Sequence, residues 1–241
     1  MDDRQNRISN LRAEAEKGDI EAQVALGTML AAGEEGVKGQ EEALAWLRRA
    51  ADSGDITAMF NLGIMHEKGL GTPEDDGEAA CWFWQAAILG DTEARMKLGR
   101  MLIKGRGFGK NSDVLHAVEA SAGKGLPYAQ SFLAKLYLDG VGLDRDDASA
   151  ERFFRLAAEQ GEESAIYNLG EMMVEERTSE TSEEEVAQWF FDLGRSYLEN
   201  GDLVKAFDCL VSIKRVDPGH FLAQRLEEEV EKANQDRLRC E

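Results

Sequence analysis

The chain has 241 residues, of which 43% are hydrophobic and 31% charged, so it has enough apolar surface to fold. Its length fits one or two domains of roughly 100–200 residues each. Lys and Arg number 28 against 47 Asp and Glu, a net charge of −19. This balance argues against nucleic acid or a membrane surface as the partner, because proteins that bind either one present a basic face. It permits a basic protein partner.

The cysteines indicate a reducing compartment. Cys81, Cys209 and Cys240 are odd in number and far apart, unlike the dense, even pattern of a disulfide-stapled secreted domain. The polar N-terminus leads into no apolar segment of the kind that a signal peptide needs. No run of about 18 apolar residues is present. We therefore expect a cytoplasmic protein without a membrane span.

The first predicted element is an N-terminal capping helix in residues 1–17, with Ile8, Leu11 and Ala15 on its apolar side. Five similar segments follow it, and their starts are 36, 36, 35 and 36 residues apart. Each segment has alanine four residues and leucine eight residues after its opening glycine. We number these segments repeats 1 to 5; they open at Gly18, Gly54, Gly90, Gly125 and Gly161.

Each repeat is predicted to form two antiparallel helices. The spacing of four between alanine, leucine and a following apolar residue lays one apolar stripe along the first helix. An aspartate after the opening glycine in repeats 1 to 3 supplies an N-cap acceptor. The second helix carries one shared large position, occupied by Trp46, Trp82, Val118, Phe153 and Trp189.

Glycines have two predicted roles in the repeats. Glycine inside a helix costs about 1 kcal/mol relative to alanine, so those inside the first helices predict close approach of the partner helix. These are Gly27, Gly63, Gly99 and Gly170. Another set, at the ends of the first helices, suits the left-handed conformation of helix C-caps. These are Gly33, Gly69, Gly105 and Gly140.

The pattern Gly-Asp-x-x-Ala-x-x-x-Leu-Gly-x-Met, followed by Gly-x-Gly and Ala-x-x-Trp-x-x-x-Ala-Ala, resembles the Sel1-like repeat, a relative of the tetratricopeptide repeat. The resemblance covers about residues 18–176, with the second helix of repeat 5 extending to about 199. Repeat 3 departs from it at Val118 and Gly123, and repeat 4 lacks the aspartate. The resemblance implies an all-α fold, a right-handed α-solenoid of about a dozen helices, and a bacterial source.

The C-terminal part resembles a tetratricopeptide unit over residues 187–220, which overlaps the end of repeat 5. Phe190, Gly194, Tyr197, Ala206 and Pro218 fit the spacing of that unit. A capping helix is predicted in residues 221–241. The whole chain, 1–241, is thus predicted to be a single repeat domain, with Sel1-like repeats at 18–53, 54–89, 90–124, 125–160 and 161–199.

The histidines, cysteines, glycine-rich segments and acidic residues form no recognisable catalytic, metal or nucleotide site. His66, His116 and His220 have no metal-ligand spacing with one another or with cysteine. The Gly-x-Gly segments follow a helix, whereas a dinucleotide fingerprint follows a strand, and they recur as connectors between helices. Acidic pairs are too common for one to stand out as a catalytic dyad. We predict no cofactor, no metal and no enzymatic activity.

A partner is predicted to bind on the concave face, which the first helices line in an α-solenoid. The residues at the groove-facing positions differ from repeat to repeat, whereas the alanine, leucine and glycine positions of the repeat stay the same. The groove-facing residues combine apolar side chains with positive charge. Peptide and helix recognition uses such surfaces. The candidate residues are Phe60, Ile64, Glu67, Met96, Arg100, Lys135, Tyr167 and Glu171. An alternative is that the position shared by Val24, Phe60, Met96 and Tyr167 faces the neighbouring repeat and belongs to the core.

Three functional hypotheses follow. The resemblance implies a non-enzymatic adaptor or scaffold, since Sel1-like proteins generally act in signalling, assembly of complexes and host–bacterium contacts. The alternative is an immunity protein or chaperone that neutralises a basic toxin or effector. A net charge of −19 would speed the encounter with such a basic partner. The third is an enzyme with a site in the concave cavity, for which the sequence offers no residue. The oligomeric state is left open.

Overall fold

A computed structural model describes residues 3–32, 36–110 and 112–240. Within these residues the chain forms thirteen α-helices and no strand, so the predicted all-α repeat fold is confirmed. The helices are α1 (Asp3–Glu16), α2 (Ile20–Ala31), α3 (Gly36–Asp52), α4 (Ile56–Lys68), α5 (Asp76–Ile88), α6 (Thr92–Ile103), α7 (Asp113–Gly123), α8 (Pro127–Asp139), α9 (Asp147–Ala158), α10 (Glu163–Val174), α11 (Glu183–Glu199), α12 (Leu203–Val216) and α13 (Phe221–Cys240).

The helices group into two compact units. The N-terminal unit comprises Met1–Val118 and the C-terminal unit comprises Glu119–Glu241. The boundary falls inside α7, in repeat 3, where the sequence departs most from the repeat pattern. Each unit is a set of packed helix pairs. The single domain over 1–241 and the right-handed superhelix stay predictions.

Aspartate caps start the first helices as the sequence predicts. The side chains of Asp19, Asp55 and Asp91 accept hydrogen bonds from the backbone N–H three residues later, at 2.9, 2.7 and 2.6 Å. Repeat 4 has no side-chain cap and instead begins α8 with Pro127. Proline is tolerated there because the N–H that it lacks would have no hydrogen-bond partner within the first turn of a helix. In repeat 5 the longer side chain of Glu162 takes the role of the aspartate.

The ends of the first helices also follow the prediction. Gly69, Gly105 and Gly140 have φ angles of 64°, 62° and 68°, in the left-handed region that favours glycine. Gly33, predicted to do the same, lies outside the described residues. In repeat 5 the equivalent position holds Glu176, which adopts a φ of 55° without being glycine.

Close helix approach explains three of the four glycines inside the first helices. A β-carbon on Gly27 would lie 2.6 Å from Leu47, and one on Gly170 would lie 2.8 Å from Phe190. Gly63 is equally tight against Phe83, at 2.5 Å. For Gly99 the prediction is wrong, because no described atom outside its chain neighbours and the backbone of its own helix lies within 4 Å of the place where its β-carbon would be. The residue of repeat 3 that corresponds to Leu47 and Phe83 is the exposed Glu119, which offers no apolar group to pack there.

The core lies between the two helices of each pair. The leucines of the first-helix stripe are all buried: Leu26, Leu62, Leu98, Leu133 and Leu169. The second helices add Phe83 and Trp84 in the N-terminal unit, and Phe154 and Phe190 in the C-terminal unit. This burial is the main source of stability, since each side chain removed from water contributes about 1.5–3 kcal/mol.

Helix α11 packs against α10, α12 and α13. A β-carbon on Gly194 of α11 would lie 2.8 Å from Leu226 of α13 and 3.2 Å from Cys209 of α12. One turn earlier, Phe190 of α11 packs against Gly170 of α10. Both patterns that overlap in this helix therefore have their packing partners, α10 for the Sel1-like pattern and α12 and α13 for the tetratricopeptide-like one.

Candidate protein-binding surface

The first helices of the N-terminal unit lie side by side and touch through polar side chains. Asn61 of α4 donates to the hydroxyl of Thr28 on α2 at 3.2 Å. Lys97 of α6 donates to a carboxylate oxygen of Glu67 on α4 at 2.5 Å. We call the side of α2, α4 and α6 that carries these contacts the first-helix face. It holds five of the eight residues predicted from the sequence: Phe60, Ile64, Glu67, Met96 and Arg100.

On α4 the predicted residues are only partly available to a partner. Phe60 is half-buried, and its ring centroid lies 5.5 Å from that of the core residue Phe83. Ile64 is also half-buried. Glu67 is held in the ion pair with Lys97. Phe60 thus lies between core and surface, as the alternative interpretation of its position anticipates in part.

On α6 the side chains are much more open. Met96 is 54% exposed and Ile103 is 86% exposed. Arg100 is exposed between them and has no ion-pair partner within the described part of the chain, although Lys97 on the same helix has one. Residues separated by three, four and seven positions share one side of a helix. We call Met96, Arg100 and Ile103 the α6 strip.

The other three predicted residues lie in the C-terminal unit. Lys135 of α8 is half-buried and pairs with Asp139 one turn later at 3.1 Å. Tyr167 and Glu171 lie on one side of α10, where α12 packs against them. The Tyr167 hydroxyl lies 3.6 Å from the sulfur of Cys209, and Glu171 pairs with Arg215 at 2.6 Å. Within this unit, α12 therefore occupies part of the face that a partner was expected to use.

Tyr167 belongs more to the core than to a binding surface. Its ring meets Phe190 edge-on, with centroids 5.2 Å apart, and it packs against the core cluster of the C-terminal unit. Burial raises the pKa of the Tyr167 phenol well above its ordinary value. The alternative interpretation of its position includes this core placement. The contact with Cys209 was not expected, because it depends on how α12 turns back from α11. The sequence signal for this packing was the tetratricopeptide spacing that begins in α11, because it predicts a further helix packed against the end of repeat 5.

Several ion pairs between successive repeats also escaped sequence analysis. Three of these pairs join residues that are 30 positions apart in the sequence: Glu67–Lys97, Asp76–Arg106 and Asp147–Arg177. This constant separation of opposite charges in a repeat of about 36 residues was a signal that could have found them. All three pairs join one helix pair to the next, and none of them involves a residue of the α6 strip.

Reactive side chains in the described residues are kept inert by burial. Burial raises the pKa of the Cys81 thiol and of the Cys209 thiol to about 11, so neither is a thiolate at neutral pH. Burial also lowers the pKa of His66. The side chain of Cys240 lies outside the described part. Among the described residues, no three His, Cys, Asp or Glu side chains come together as metal ligands. No helix there is long and apolar enough to cross a membrane.

Successive two-helix units that are joined by ion pairs at a recurring separation define an α-helical repeat protein. The family model of the Sel1 repeat matches residues 20–55, 56–91 and 127–162, which correspond to repeats 1, 2 and 4. The chain therefore contains Sel1-like repeats over these segments, as its sequence pattern predicts. Proteins with this repeat are generally protein-interaction scaffolds and are typically non-catalytic.

The solved structures that are similar to the chain include two that match most of its length. One is a protective antigen of uropathogenic Escherichia coli strains with an SLR fold, 23% identical at a TM-score of 0.48. The match covers 93% of this chain and 48% of the antigen, so the chain spans about half the length of that protein. The other is a Sel1 repeat protein from Oxalobacter formigenes, 23% identical at a TM-score of 0.46, with 88% and 85% of the two chains covered. Among curated proteins, none matches the chain.

Proposed function

We propose that the protein is a non-enzymatic scaffold that binds a partner protein on the first-helix face of its N-terminal unit, with the α6 strip at the centre of the contact. The observation that carries this proposal is the exposure of Met96 and Ile103 on either side of the unpaired Arg100. Scattered single apolar side chains are ordinary on a protein surface. Two on one side of one helix, with a free guanidinium between them, form a contact surface with defined chemistry.

Both parts of the strip can contribute to affinity. Burying an isoleucine or methionine side chain is worth about 1.5–3 kcal/mol. Arginine is common in interface hot spots because its planar guanidinium can hold a carboxylate through two hydrogen bonds. The matching partner segment carries an apolar side chain and a carboxylate close to each other.

The net charge of −19 adds a second property of the partner. A basic partner would be attracted over long distances, and this attraction raises the association rate more than the final affinity. A basic protein with a local carboxylate opposite Arg100 satisfies both conditions. A cytoplasmic location belongs to the same proposal, because buried, unpaired Cys209 and partly buried Cys81 suit a reducing compartment.

The test is affinity capture from the native lysate with matched variants. Met96→Ser combined with Ile103→Ser removes the apolar part of the strip, and Arg100→Glu reverses its charge. Gln85→Ser, on the exposed side of α5, is the control. The proposal expects one partner that the wild type and the control retain and that both strip variants lose, with thermal unfolding unchanged. A partner retained equally by all four proteins would refute it.

The salt dependence of the captured complex separates the two roles considered from the sequence. A single stoichiometric basic partner that dissociates at high salt would favour the immunity or chaperone role. Several partners, or one that resists salt, would favour a scaffold held by apolar contact.

A further inference from the structure

The large shared position of the second helices is repeatedly covered by a cation from the chain itself. The guanidinium of Arg49 lies 4.8 Å from the ring centroid of Trp46 in repeat 1. Arg48 lies 5.5 Å from Trp82 in repeat 2. In repeat 4, Arg152 lies 4.7 Å from Phe153. Each distance is within the roughly 6 Å at which a cation is attracted to the face of an aromatic ring.

Repeat 5 breaks this pattern. Trp189 occupies the shared position on α11, and no lysine or arginine of the described chain lies over its ring. Three residues after Trp46, repeat 1 has Arg49, whereas three residues after Trp189, repeat 5 has Asp192. A carboxylate therefore stands where repeat 1 has the cation.

A cleft of about 310 Å³ opens beside Trp189 in the C-terminal unit. Its lining residues come from α9, α10, α11 and the turn between α9 and α10, and include Glu159, Ile166, Trp189, Asp192 and Ser196. The cleft has two acidic side chains and no basic one in its lining. Its volume falls near the lower end of ligand pockets, which suits one long side chain rather than a whole cofactor.

We infer that this cleft binds an arginine side chain presented by a partner protein. Its guanidinium would take the place over Trp189 that Arg49 takes over Trp46, with Asp192 and Glu159 as carboxylate acceptors. Arginine fits better than lysine, because a planar guanidinium can stack on an indole and hydrogen-bond a carboxylate at the same time. The site is independent of the α6 strip, which lies in the other unit, and it requires a basic residue where the strip requires an acidic one.

The inference can be tested by fluorine NMR of the full chain carrying 5-fluorotryptophan, with the Trp189 resonance assigned through Trp189→Phe. The probe is N-acetyl-L-arginine amide. The matched neutral probe is N-acetyl-L-citrulline amide, which has the same shape without the charge. We expect a saturable shift of the Trp189 resonance with the arginine probe, at least about fivefold larger than with the citrulline probe. The resonances of Trp46 and Trp82 stay in place, because their own arginines cover them.

Three variants make the test specific. Asp192→Asn raises the half-saturating concentration about threefold or more. Asp192→Arg abolishes the shift, because it supplies the cation in the relation that Arg49 has to Trp46. Asp208→Asn, an exposed position on α12, changes the net charge equally and leaves binding unchanged. A missing shift, an equal response to citrulline, binding that survives Asp192→Arg, or equal effects of the two asparagine variants would overturn the inference.

Discussion

Gly63 of α4 lies so close to Phe83 of α5 that a β-carbon on residue 63 would be 2.5 Å from the phenylalanine ring. Because Phe83 is fully buried, the ring has no open space to move into. The glycine is thus required by the packing of the pair, although it weakens α4 as a helix. Gly99 occupies the same repeat position on α6 and faces no such neighbour among the described residues.

The variant Gly63→Ala should destabilise the protein by about 1–3 kcal/mol, the usual cost of forcing an extra carbon into a packed core. Gly99→Ala should stabilise it by about 1 kcal/mol, because alanine is the better helix former and has room there. Urea unfolding of both variants measures the difference. Equal effects of the two substitutions would contradict this account of the repeat glycines.

Glu151 of α9 is a buried carboxylate held by a loop of the next repeat. It is 2% exposed and accepts hydrogen bonds from the backbone N–H groups of Ser179, Glu180 and Thr181 at 2.8, 2.9 and 2.7 Å. Burial by itself would raise the pKa of Glu151, but these hydrogen bonds lower it from 4.5 to about 2. Glu151 in its charged form therefore stabilises the folded state at neutral pH.

A lowered pKa in the folded state gives stability that is present above pH 4.5 and is lost as the pH falls towards 2. The amount lost is about 3 kcal/mol. Glu151→Gln removes this pH dependence and costs about 1–3 kcal/mol at pH 7, because its amide nitrogen meets backbone donors. Chemical unfolding of both proteins between pH 7 and 2 measures the effect, and parallel pH profiles would show that Glu151 does not titrate in this way.

Arg177 fixes the start of the same loop through a two-pronged ion pair with Asp147, at 2.9 and 2.8 Å. Hydrogen bonds from Arg177 and Arg145 hold the pKa of Asp147 well below its ordinary range. A double-mutant cycle with Arg177→Gln and Asp147→Asn should give a coupling energy of about 1–2 kcal/mol. The exposed pair Arg195–Glu199, at 4.0 Å, is the matched control and should give about 0.5 kcal/mol or less. Equal coupling in both cycles would show that geometry and burial do not matter here.

Glu176 stores backbone strain at the end of α10. Its φ of 55° is the conformation that glycine supplies in the earlier repeats. Glu176→Gly should raise the unfolding free energy by about 0.5–1 kcal/mol, since the left-handed penalty of a non-glycine residue exceeds the added entropy of the unfolded chain. Thermal unfolding of the variant measures this gain. A lower midpoint would mean that the Glu176 side chain compensates for its backbone.

The helices and their caps could be predicted from the sequence because they depend on neighbours within one turn. Asp19 caps its helix through an N–H only three residues away, and Gly69 needs only its own φ. For Tyr167 the sequence left a groove position and a core position both open. Its contact with Cys209 spans 42 residues and depends on the direction in which α12 leaves α11, so the sequence could not decide between them. The position of Arg100 on a first helix could be predicted from the alignment of the repeats alone. That Lys97 is paired while Arg100 is not depends on which side chain of α6 meets Glu67 of α4, which periodicity does not encode.

Site-specific photo-crosslinking in cells that produce the protein tests the central claim most directly. A photoreactive amino acid replaces Ile103 of the α6 strip in one version and Gln85 on α5 in the other. The account predicts one dominant cross-linked protein from position 103, none from position 85, and loss of the product when Arg100→Glu is added. No product from position 103, or the same products from both positions, would contradict a partner on the first-helix face.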